Sequence, residues 1–569
     1  MASTIFTDVL VCGAGPVGLL IALGLAQQGI DTLIIEKRVR NEQELYGRAC
    51  SLYARTLELL EQVDVTDEML QVGFVGRAAS AFKDGKRITR RGWQSIFPAM
   101  ASSFHNYILN IPQKTSEAIF AKKYEAEGHK AVHYLWEIVD YNIDTSPGDD
   151  YNVTATISHP SQGNRIIRCK YLIGADGGQS TVRRLADIAM EGDETSQRWI
   201  RIDGRMKTDM PDADIGFAAV ESRFHGNVLW VKLDRDAYRI GFALTPEVQK
   251  KYPDGLNKQQ AIQEATNAMH PFKLDIERLD WWTSYQIKQK VAAELQKHKY
   301  IFLAGDAAHT HSSGLAQGMN TGVHDATNLT WKLAGVIKGW YKPEVLATYG
   351  TERRPVAQKV INIDKNIAST ISGNIPAQYN NSNADPNEAL FEILQRNLAF
   401  AVGLGVQYPP SLIAKDPVAT SLVAGSRAPD ALLHTPGVLL PVRLQSIFKN
   451  ESKGRWSLLI FIGNHVHNGA RMATLREELT ADGSTFAQHR HMLNMATIMV
   501  GTIGSAWAAF NGPAEGRLYF DLDSSAHSQY GISCETGGIV LTRPDGVFAF
   551  GVGLHELALA EEFFDGLCI

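Results

Sequence analysis

Short apolar runs bounded by glycine, acidic or other turn-forming residues recur along the chain. Phe6–Cys12, Thr32–Ile35 and Ile301–Ala304 are runs of this kind, and a helical pattern, Leu19–Gln28, lies between the first two. A short apolar run between turn residues is typical of a buried strand, whereas a longer run at helical spacing is typical of a helix packed on a sheet. The order strand, helix, strand at the N-terminus therefore predicts an α/β fold that begins with a βαβ unit.

The first predicted turn has the glycine spacing of a dinucleotide-binding loop. The sequence GAGPVG, residues 13–18, follows the first strand directly and precedes the helix. In this spacing the first glycine allows a tight turn, the second lets the backbone approach a pyrophosphate, and the third allows close packing of helix and strand. Glu36 ends the second strand, where an acidic residue bonds the ribose hydroxyls of a nucleotide. Because strand, helix and terminal acid are all present, the pattern indicates a dinucleotide site.

Two further apolar runs each deliver an aspartate into a glycine-containing loop. Asp176-Gly177 follows the run that begins at Tyr171, and Gly305-Asp306 follows Ile301–Ala304. After the second loop a helix is predicted to begin near residues 318–320. An aspartate in such a loop can accept hydrogen bonds from ribityl or ribose hydroxyls, and the N-terminus of a helix favours negative charge. The second loop therefore predicts a site that holds a polyol and an anion together.

The middle and the end of the chain show strand patterns of other kinds. Residues 195–290 contain the alternating runs Asn227–Leu233 and Tyr238–Leu244, which predict a mainly β layer. A further domain is predicted to begin near Gly425, with strands near 456–462, 496–500 and 517–522, a hairpin at 538–550 and a last helix at 556–564. The sequence of this domain has no C-x-x-C, so it shows no machinery for thiol–disulfide catalysis.

Length and composition restrict the number of domains, the partners and the compartment that fit this chain. The chain has 569 residues, which predicts more than one domain, since single cores stop growing near ~250–300 residues. A formal net charge of −5 disfavours nucleic acid and anionic membranes as partners. The N-terminus shows no signal pattern, and no apolar run approaches the ~18 residues of a membrane span. Five scattered cysteines predict reduced thiols in the cytoplasm, with neither a disulfide framework nor a metal site.

The three motifs, GxGxxG, DG and GD, occur in the order found in class A FAD-dependent aromatic monooxygenases. With the sequences AQGMN at 316–320 and DATNLTWKL at 325–333, they make the chain resemble the phenol hydroxylase branch of these enzymes, which share the para-hydroxybenzoate hydroxylase fold. The resemblance implies a Rossmann-like FAD-binding domain, an inserted β-sheet substrate domain and a thioredoxin-like C-terminal domain at the interface of a homodimer. The implied bounds are 1–190 with 291–365 for FAD, 191–290 for substrate, 366–424 for a helical and loop connection and 425–569 for the C-terminal domain.

The resemblance also implies which residues contact FAD. The glycine loop and the residues after the second strand would meet the adenosine half and the pyrophosphate, and residues 317–320 would meet the isoalloxazine. Tyr285 would lie beside both the flavin and the substrate. The full set is Gly13, Ala14, Gly15, Pro16, Gly18, Glu36, Lys37, Arg48, Gln113, Asp176, Tyr285, Asp306, Gln317, Gly318, Met319 and Asn320.

The reaction that the resemblance implies is hydroxylation of a phenolic or polyketide-derived aromatic substrate by O₂, with NADPH or NADH as reductant. In this family the reduced flavin forms a C4a-hydroperoxyflavin, which transfers oxygen to an electron-rich ring. Activation of a phenol requires a positioned base or a donor to its oxyanion, and Tyr285 is the first candidate catalytic residue. The candidate substrate-binding residues are Cys50, Trp230, Arg239 and Ser313.

Three positions depart from the family pattern. Cys50 stands where phenol hydroxylases have an aspartate, Ser313 where they have a proline, and Ala316 where they have a glycine. A buried free thiol is usually inert, so Cys50 is not expected to act as the base. His309 and His311 are alternatives for that role, although a histidine in such a loop is more often a structural group.

Other functions remain open at this point. The same fold could perform oxidative dearomatisation, epoxidation or Baeyer–Villiger oxidation. A flavoprotein reductase or dehydrogenase that does not activate O₂ would also need the three motifs. A non-catalytic FAD-binding module is the least favoured alternative, because all three motifs are intact.

Overall fold

The computed structural model describes residues 4–40, 49–90, 92–128, 130–146, 150–379, 385–449 and 453–569. The predicted βαβ unit lies in a mainly parallel sheet, here called the first sheet. Its parallel strands, in spatial order, are Ile301–Leu303, Gly163–Gly174, Ile5–Cys12, Thr32–Glu36 and Val132–Tyr134. Antiparallel strands extend it, namely Gln296–Lys297, Val153–His159 and Glu137–Ile143. Because parallel strands end at one edge, the loops that follow Cys12, Gly174 and Leu303 meet at the carboxyl edge of this sheet.

The second sheet is mainly antiparallel. Its strands, in spatial order, are His309–Thr310, Leu274–Ala292, Met190–Thr208, Ala237–Ala243, Gly226–Lys232, Gly216–Ser222, Ala78–Lys83 and Lys86–Arg87. The two strands Met190–Thr208 and Leu274–Ala292 have 19 residues each and pair along their length. Since Ala78–Lys83 joins from an earlier part of the chain, this sheet extends beyond the segment proposed as the substrate domain.

The third sheet belongs to the C-terminal part of the chain. Its strands, in spatial order, are Pro441–Arg443, Leu432–His434, Arg517–Asp521, Leu493–Val500, Trp456–Gly463, Gly538–Thr542 and Phe548–Val552. Leu493–Val500 runs parallel to both of its neighbours, and the last two strands form an antiparallel hairpin. This is the thioredoxin-like order that was predicted. A small sheet of Ser51–Leu52, Ile108–Asn110 and Phe74–Gly76 lies beside the first sheet.

Helices cover the sheets and close their cores. The α-helices are Pro16–Ala26, Ala54–Gln62, Thr66–Val72, Ile96–Ala99, Gln113–Ala126, Thr181–Leu185, Pro246–Lys251, Lys258–Met269, Gln317–Ile337, Ala347–Ile371, Pro386–Ala401, His465–Thr480, Thr485–Gln488, Ala506–Phe510, Ser525–Tyr530 and Leu557–Asp565. Each of the three large sheets has its own buried apolar cluster, as expected for a chain of this length. Within the described residues, no helix combines the length and the apolar character that crossing a bilayer requires.

A buried cluster of charges joins the C-terminal part to the helices of the first sheet. Glu352 accepts hydrogen bonds from Lys332 Nζ (2.8 Å) and Arg543 Nη1 (2.5 Å), and Arg543 also pairs with Asp545. Although burial opposes ionisation of the Glu352 carboxyl, the two cations lower its pKa to about 2. Removal of one partner from such a buried network costs about 3–5 kcal/mol of stability. The cluster therefore holds the third sheet against the helix Gln317–Ile337.

Candidate active site

The glycine loop lies at the carboxyl edge of the first sheet with little space on one side and open space on the other. Gly13 has a φ of +103°, and a Cβ there would lie 2.4 Å from the carbonyl oxygen of Ala175. A Cβ on Gly18 would lie 1.9 Å from the carbonyl oxygen of Gly13, whereas one on Gly15 would meet nothing within 4 Å. Pro16 occupies the first turn of the helix that follows, where its missing N–H costs nothing. The loop is therefore packed closely against the protein and open at Gly15.

Glu36 lies at the end of its strand with its carboxylate turned toward the glycine loop. Its Oε2 accepts a hydrogen bond from the backbone N–H of Ala14 (2.9 Å), and its Oε1 accepts one from the N–H of Arg38 (3.0 Å). Glu36 is buried and the next residue, Lys37, is exposed. This position suits the proposed contact with a ribose. Arg48, the proposed pyrophosphate contact, lies outside the described residues.

Gln113 connects the helix that it begins to residues 49–53, here called the Cys50 segment. Its Oε1 accepts a hydrogen bond from the backbone N–H of Ala49 (3.1 Å), and its own N–H donates to the carbonyl oxygen of Ala49 (3.1 Å). The Gln113 side chain also donates to Glu117 (2.8 Å). Its contact with FAD stays a prediction, and its observed contacts hold the Cys50 segment in place.

Asp176 in the DG loop caps a short helix. Its carboxylate accepts hydrogen bonds from the hydroxyl of Ser180 and from the backbone N–H groups of Thr181 (2.6 Å) and Val182 (3.1 Å). These contacts satisfy N–H groups that the first turn of a helix leaves without partners. The Asp176 carboxylate therefore shapes the DG loop, and its proposed contact with the cofactor would be additional to this capping.

The GD loop, which begins at Gly305-Asp306, is anchored by the buried side chain of Asp325 and leaves its own aspartate exposed. Asp325 accepts hydrogen bonds from the backbone N–H of Gly305 (3.0 Å), from His309 Nε2 (2.7 Å) and from Arg353 Nε (2.7 Å). Although burial opposes ionisation, His309 and Arg353 hold the pKa of the Asp325 carboxyl well below its usual range. Asp306 is exposed, and no hydrogen bond or ion pair joins its carboxylate to the described residues. Its carboxylate is thus available to a ligand. His309 itself is committed to the anchor and is not placed as a substrate base.

The helix Gln317–Ile337 begins without a side-chain cap. The residue before it, Ala316, has a left-handed φ of +53°, which a glycine adopts more easily. Asn320 bridges to the Cys50 segment, because its Oδ1 accepts from the N–H of Tyr53 (3.0 Å) and its Nδ2 donates to the carbonyl oxygen of Ser51 (2.9 Å). The Gln317 side chain donates to the carbonyl oxygen of Ala401 (2.5 Å). Both side chains hydrogen-bond within the protein, so the contacts available to a ligand here are backbone N–H groups of the first turn.

These features fit a flavin dinucleotide. The open side of Gly15 gives room for a pyrophosphate, and the exposed Asp306 carboxylate can accept hydrogen bonds from a polyol. The uncapped first turn that contains Gly318 and Met319 can donate N–H groups to the carbonyl oxygens of a flavin ring and favours negative charge there. Gly15 and Asp306 lie along the carboxyl edge of the first sheet. The uncapped turn begins the helix Gln317–Ile337, which follows the GD loop.

The second sheet meets the GD loop at Tyr285. The Tyr285 hydroxyl hydrogen-bonds to the hydroxyl of Ser313, and Arg201 Nη2 donates to the same serine oxygen (2.7 Å). Tyr285 pairs with Trp199 on the neighbouring strand, and Arg201 follows two positions later on the same face. The candidate catalytic residue and the candidate substrate residue Ser313 are therefore in direct contact.

Arg239 and Cys50 lie close to this contact. Arg239 forms a bidentate pair with Asp203 (2.6 and 2.7 Å), and its guanidinium lies 5.4 Å from the centre of the Trp281 ring. Burial lowers the pKa of the Arg201 guanidinium below its usual value, and the Arg239 cation lowers it further, whereas Tyr285, Cys50 and Asp203 act in the opposite direction. Cys50 is buried in an apolar cluster that Ala316 also contacts. Three of the four candidate substrate residues, namely Ser313, Arg239 and Cys50, therefore lie at or near the contact between Tyr285 and Ser313.

Trp230, the fourth candidate substrate residue, points away from this region. It is completely buried on the opposite face of the second sheet, and its ring nitrogen donates to the carbonyl oxygen of Ala213 (3.0 Å). Its neighbours are the apolar side chains that pack against the helix Lys258–Met269. Successive residues of a strand point to opposite faces, so Val231 and not Trp230 is on the side of Arg239. The structure therefore does not bring Trp230 to the other candidate substrate residues, and its contact with the substrate stays a prediction.

The sequence interpretation also missed Arg201 and the Asp325 anchor. A usable signal for Arg201 was the run RWIRIDGR, residues 198–205, in which charged and apolar residues alternate as in a strand with one polar face. The Asp325 anchor had no such signal, because its partners lie in the GD loop and in the helix Ala347–Ile371. His311 hydrogen-bonds to the backbone of Ser312 (2.9 Å) and supports that loop.

Comparison with known families and proteins agrees with this geometry. Residues 6–364 match the FAD binding domain family, and residues 507–569 match the phenol hydroxylase C-terminal dimerisation domain. A phenol 2-monooxygenase, fsqG, of Aspergillus fumigatus is 30% identical over 98% of this chain and 96% of its own length. A 3-hydroxybenzoate 4-monooxygenase of Comamonas testosteroni is 30% identical over 80% of this chain and 74% of its own length.

The same fold occurs in solved structures. Aklavinone-11 hydroxylase, in a ternary complex with FAD and aklavinone, has a TM-score of 0.72 and 21% identity, and the match covers 99% of both chains. This likeness confirms the predicted architecture. Together with the family matches, it shows that the chain belongs to the class A FAD-dependent monooxygenases, in their phenol hydroxylase-like branch.

Proposed function

We propose that this enzyme hydroxylates a phenolic or polyketide-derived aromatic ring, with O₂ as the oxidant and NADPH or NADH as the reductant. Its relatives include enzymes named for a phenol and for a hydroxybenzoate. Bound FAD supplies the redox chemistry, since it accepts a hydride and activates O₂. The observation that carries the proposal is the hydrogen bond between Tyr285 and Ser313, which brings polar groups of the second sheet to the loop between Asp306 and the helix Gln317–Ile337.

The residues proposed to hold FAD act on different parts of it. Gly15 would face the pyrophosphate, Glu36 the adenosine ribose and Asp306 the ribityl chain. The backbone of Gly318 and Met319 would meet the pyrimidine edge of the flavin. The open space at Gly15, the exposed Asp306 carboxylate and the uncapped helix support these assignments.

Tyr285 is proposed to orient the substrate oxygen and to donate a hydrogen bond to it. A phenolic hydroxyl can donate one hydrogen bond and accept another. Because Ser313 already receives a donor from Arg201, its own proton can go to Tyr285, and the Tyr285 hydroxyl would then donate to a substrate oxygen. Electron density on a ring rises when its hydroxyl loses a proton to the solvent. A hydrogen bond donated by Tyr285 stabilises the oxyanion that remains, so the ring attacks an electrophilic oxygen more readily.

The test is the variant Tyr285→Phe. It should retain FAD, because the glycine loop and Asp306 are separate from Tyr285, and it should lose product formation by roughly 10²-fold or more. Oxidation of NADPH should continue, and the excess should appear as hydrogen peroxide. The measurement is the ratio of product, by mass spectrometry on a panel of phenols, to NADPH consumed.

The matched control is Cys50→Ser, which changes a buried neighbour of the same region without removing a hydroxyl donor. It should keep most of the product yield, because the thiol is not placed as a base. If Cys50→Ser abolishes hydroxylation and Tyr285→Phe does not, the two roles are reversed. If no phenol on the panel gains an oxygen atom while an organic acceptor reoxidises the flavin, the hydroxylase proposal is wrong.

A homodimer is the proposed assembly, and the cytoplasm the proposed location. The match to a dimerisation domain at residues 507–569 supports the first, and sedimentation velocity would measure it directly. All five cysteines are free thiols, and four of them are buried, which supports a reducing compartment.

A further inference from the structure

A cavity of about 140 Å³ lies between the FAD-binding part of the chain and the third sheet. One wall comes from the C-terminal ends of the helices Pro16–Ala26 and Ala54–Gln62 and from the helix Gln317–Ile337. The other wall comes from the third sheet and from residues in 444–449 and 453–455. Because about 150 Å³ is enough for a molecule of the size of benzene, this cavity has room for a small organic ligand. None of the described residues that line it belongs to the candidate active site.

The third sheet contributes a row of three polar side chains to this cavity. Ser457 pairs with Asn494 on one neighbouring strand and with Thr542 on the other, so the three side chains lie side by side on one face of the sheet. All three line the cavity. Asn494 is only 7% exposed, yet its Oδ1 has no hydrogen-bond partner within the described part of the chain. Because buried polar atoms are ordinarily hydrogen-bonded, the row indicates a partner that these residues do not supply themselves.

Trp331 borders the same cavity from the helix Gln317–Ile337. It is 3% exposed, and its ring packs edge-to-face on Trp456, the residue before Ser457. The indole nitrogen of Trp331 can only donate, and no acceptor for it exists among the residues that the structure describes. The two walls of the cavity therefore each carry a buried polar group without a partner.

Two cations, Lys453 and Arg455, line the cavity as well. Lys453 Nζ donates to the side-chain oxygen of Gln27 (2.8 Å) at a helix C-terminus, which favours a positive charge, and burial lowers the pKa of Lys453 to about 8. Arg455 is half-buried, and its Nε is buried without a hydrogen-bond partner. Neither cation forms an ion pair with a carboxylate of the described residues, whereas the nearby Lys449 pairs with Asp67 (3.0 Å).

The groups without partners are mainly donors, and they carry positive charge. Arginine has five N–H donors and no acceptor, and an asparagine amide adds two more donors. Water can accept such hydrogen bonds, but it brings no negative charge to Arg455. The rest of the lining includes the apolar side chains of Val63, Leu444, Phe448 and Leu459, which favour a ligand with a carbon body over an inorganic ion.

We infer that this cavity between the two parts of the chain binds a small organic acid. The carboxylate of the ligand pairs with Arg455 and Lys453, and its carbon body lies between Trp331 and the polar row of the third sheet. The inference does not depend on the proposed hydroxylation, because these residues lie outside the candidate active site. A ligand here contacts both the helix Gln317–Ile337 and the third sheet, so binding stabilises the contact between them by mass action.

The experiment measures binding to the full-length, FAD-loaded enzyme by isothermal titration calorimetry. The probes are two organic acids, succinate and benzoate, each with its amide, succinamide or benzamide, as a neutral partner of similar shape. Inorganic phosphate is the third anion. We expect at least one of the two acids to bind, and its amide to bind at least about 10-fold more weakly, the scale of hydrogen bonds to a charged group.

Two variants test the residues of the cavity. Arg455→Gln should weaken binding of the acid by about 10–100-fold, because the charged partner is lost. The matched control is Lys338→Gln, since Lys338 lies near Arg455 but does not line the cavity, and this variant should keep most of the affinity. Asn494→Leu should also lose the acid. Leucine has a similar volume and needs no partner, so the Asn494→Leu protein without the acid should unfold at the same urea concentration as the wild type or at a higher one.

Hydrogen exchange on the wild-type enzyme needs no variant. The bound acid should slow exchange of the backbone amides at 24–28 and 456–459, which border the cavity on its two walls. Failure of both organic acids to bind would overturn the inference, and so would binding of phosphate alone or binding that Arg455→Gln leaves unchanged. Benzoate that binds only at the candidate active site would change the flavin absorbance without protecting these amides, which would count against the cavity. Loss of hydroxylase activity has no bearing on these measurements, so the proposed function can fail while the acid site stands.

Discussion

The substitution Gly15→Ala should separate FAD binding from folding. Gly15 has φ −72° and ψ −179°, an extended conformation that alanine adopts freely, and the new Cβ would meet no atom within 4 Å. The free energy of unfolding of the apoprotein should therefore stay the same or rise by about 0.4–1 kcal/mol, because alanine reduces the entropy of the unfolded chain. The added methyl group would occupy the space proposed for the pyrophosphate. Overpacking of this kind costs about 1–3 kcal/mol, so FAD should bind about 5–150-fold more weakly.

The matched substitution is Gly18→Ala, three residues later in the same loop. Its Cβ would lie 1.9 Å from the carbonyl oxygen of Gly13, so the helix Pro16–Ala26 and the loop would have to move apart. This variant should lose about 1–3 kcal/mol or more of stability together with its FAD. Urea unfolding of the apoproteins and titration of FAD by fluorescence quenching measure the two quantities. A Gly15→Ala protein that binds FAD like the wild type, or that unfolds as easily as Gly18→Ala, would refute the reasoning.

Three further substitutions test the rest of the cofactor edge. Asp306→Ala should weaken FAD binding by about 1–3 kcal/mol, because hydroxyls of the ligand would lose their acceptor; unchanged FAD content after gel filtration at low FAD would contradict the assignment. Asp325→Asn should lower the free energy of unfolding by about 3–5 kcal/mol in urea, because Arg353 would stay buried without its carboxylate and the Gly305 loop would lose its anchor. Ala316→Gly should raise the free energy of unfolding by up to about 1 kcal/mol, because φ +53° is strained for alanine; a decrease would argue against that conformation.

Elements with a local signal were predicted closely from the sequence. The strand predicted at 227–233 is Gly226–Lys232, and the one predicted at 456–462 is Trp456–Gly463. Both are short apolar runs with turn residues at their ends. The strand Met190–Thr208 was not predicted, because its first half, MEGDETSQR, is polar and its partner, Leu274–Ala292, lies far away in sequence. Pairing with that partner forms this strand, and such a contact has no local pattern.

The candidate site was predictable only in part, for a related reason. The motif around Tyr285 and the departure at Ser313 were visible in the sequence, but the hydrogen bond between them depends on how the second sheet meets the GD loop. The sequence did not show that Trp230 lies on the face away from Tyr285. Both faces of the second sheet are covered, so the alternation of side chains does not show which face borders the site. Arg201 was missed because a charged residue in a strand ordinarily faces solvent.

The three departures from the family pattern become one feature in the structure. Ser313 accepts a hydrogen bond from Arg201, and Cys50 lies near the same guanidinium. Ala316 packs in the same apolar cluster as Cys50. The three changes therefore alter one neighbourhood, where the segment around Cys50, the GD loop and the second sheet meet, although Cys50 lies far from the other two in the sequence.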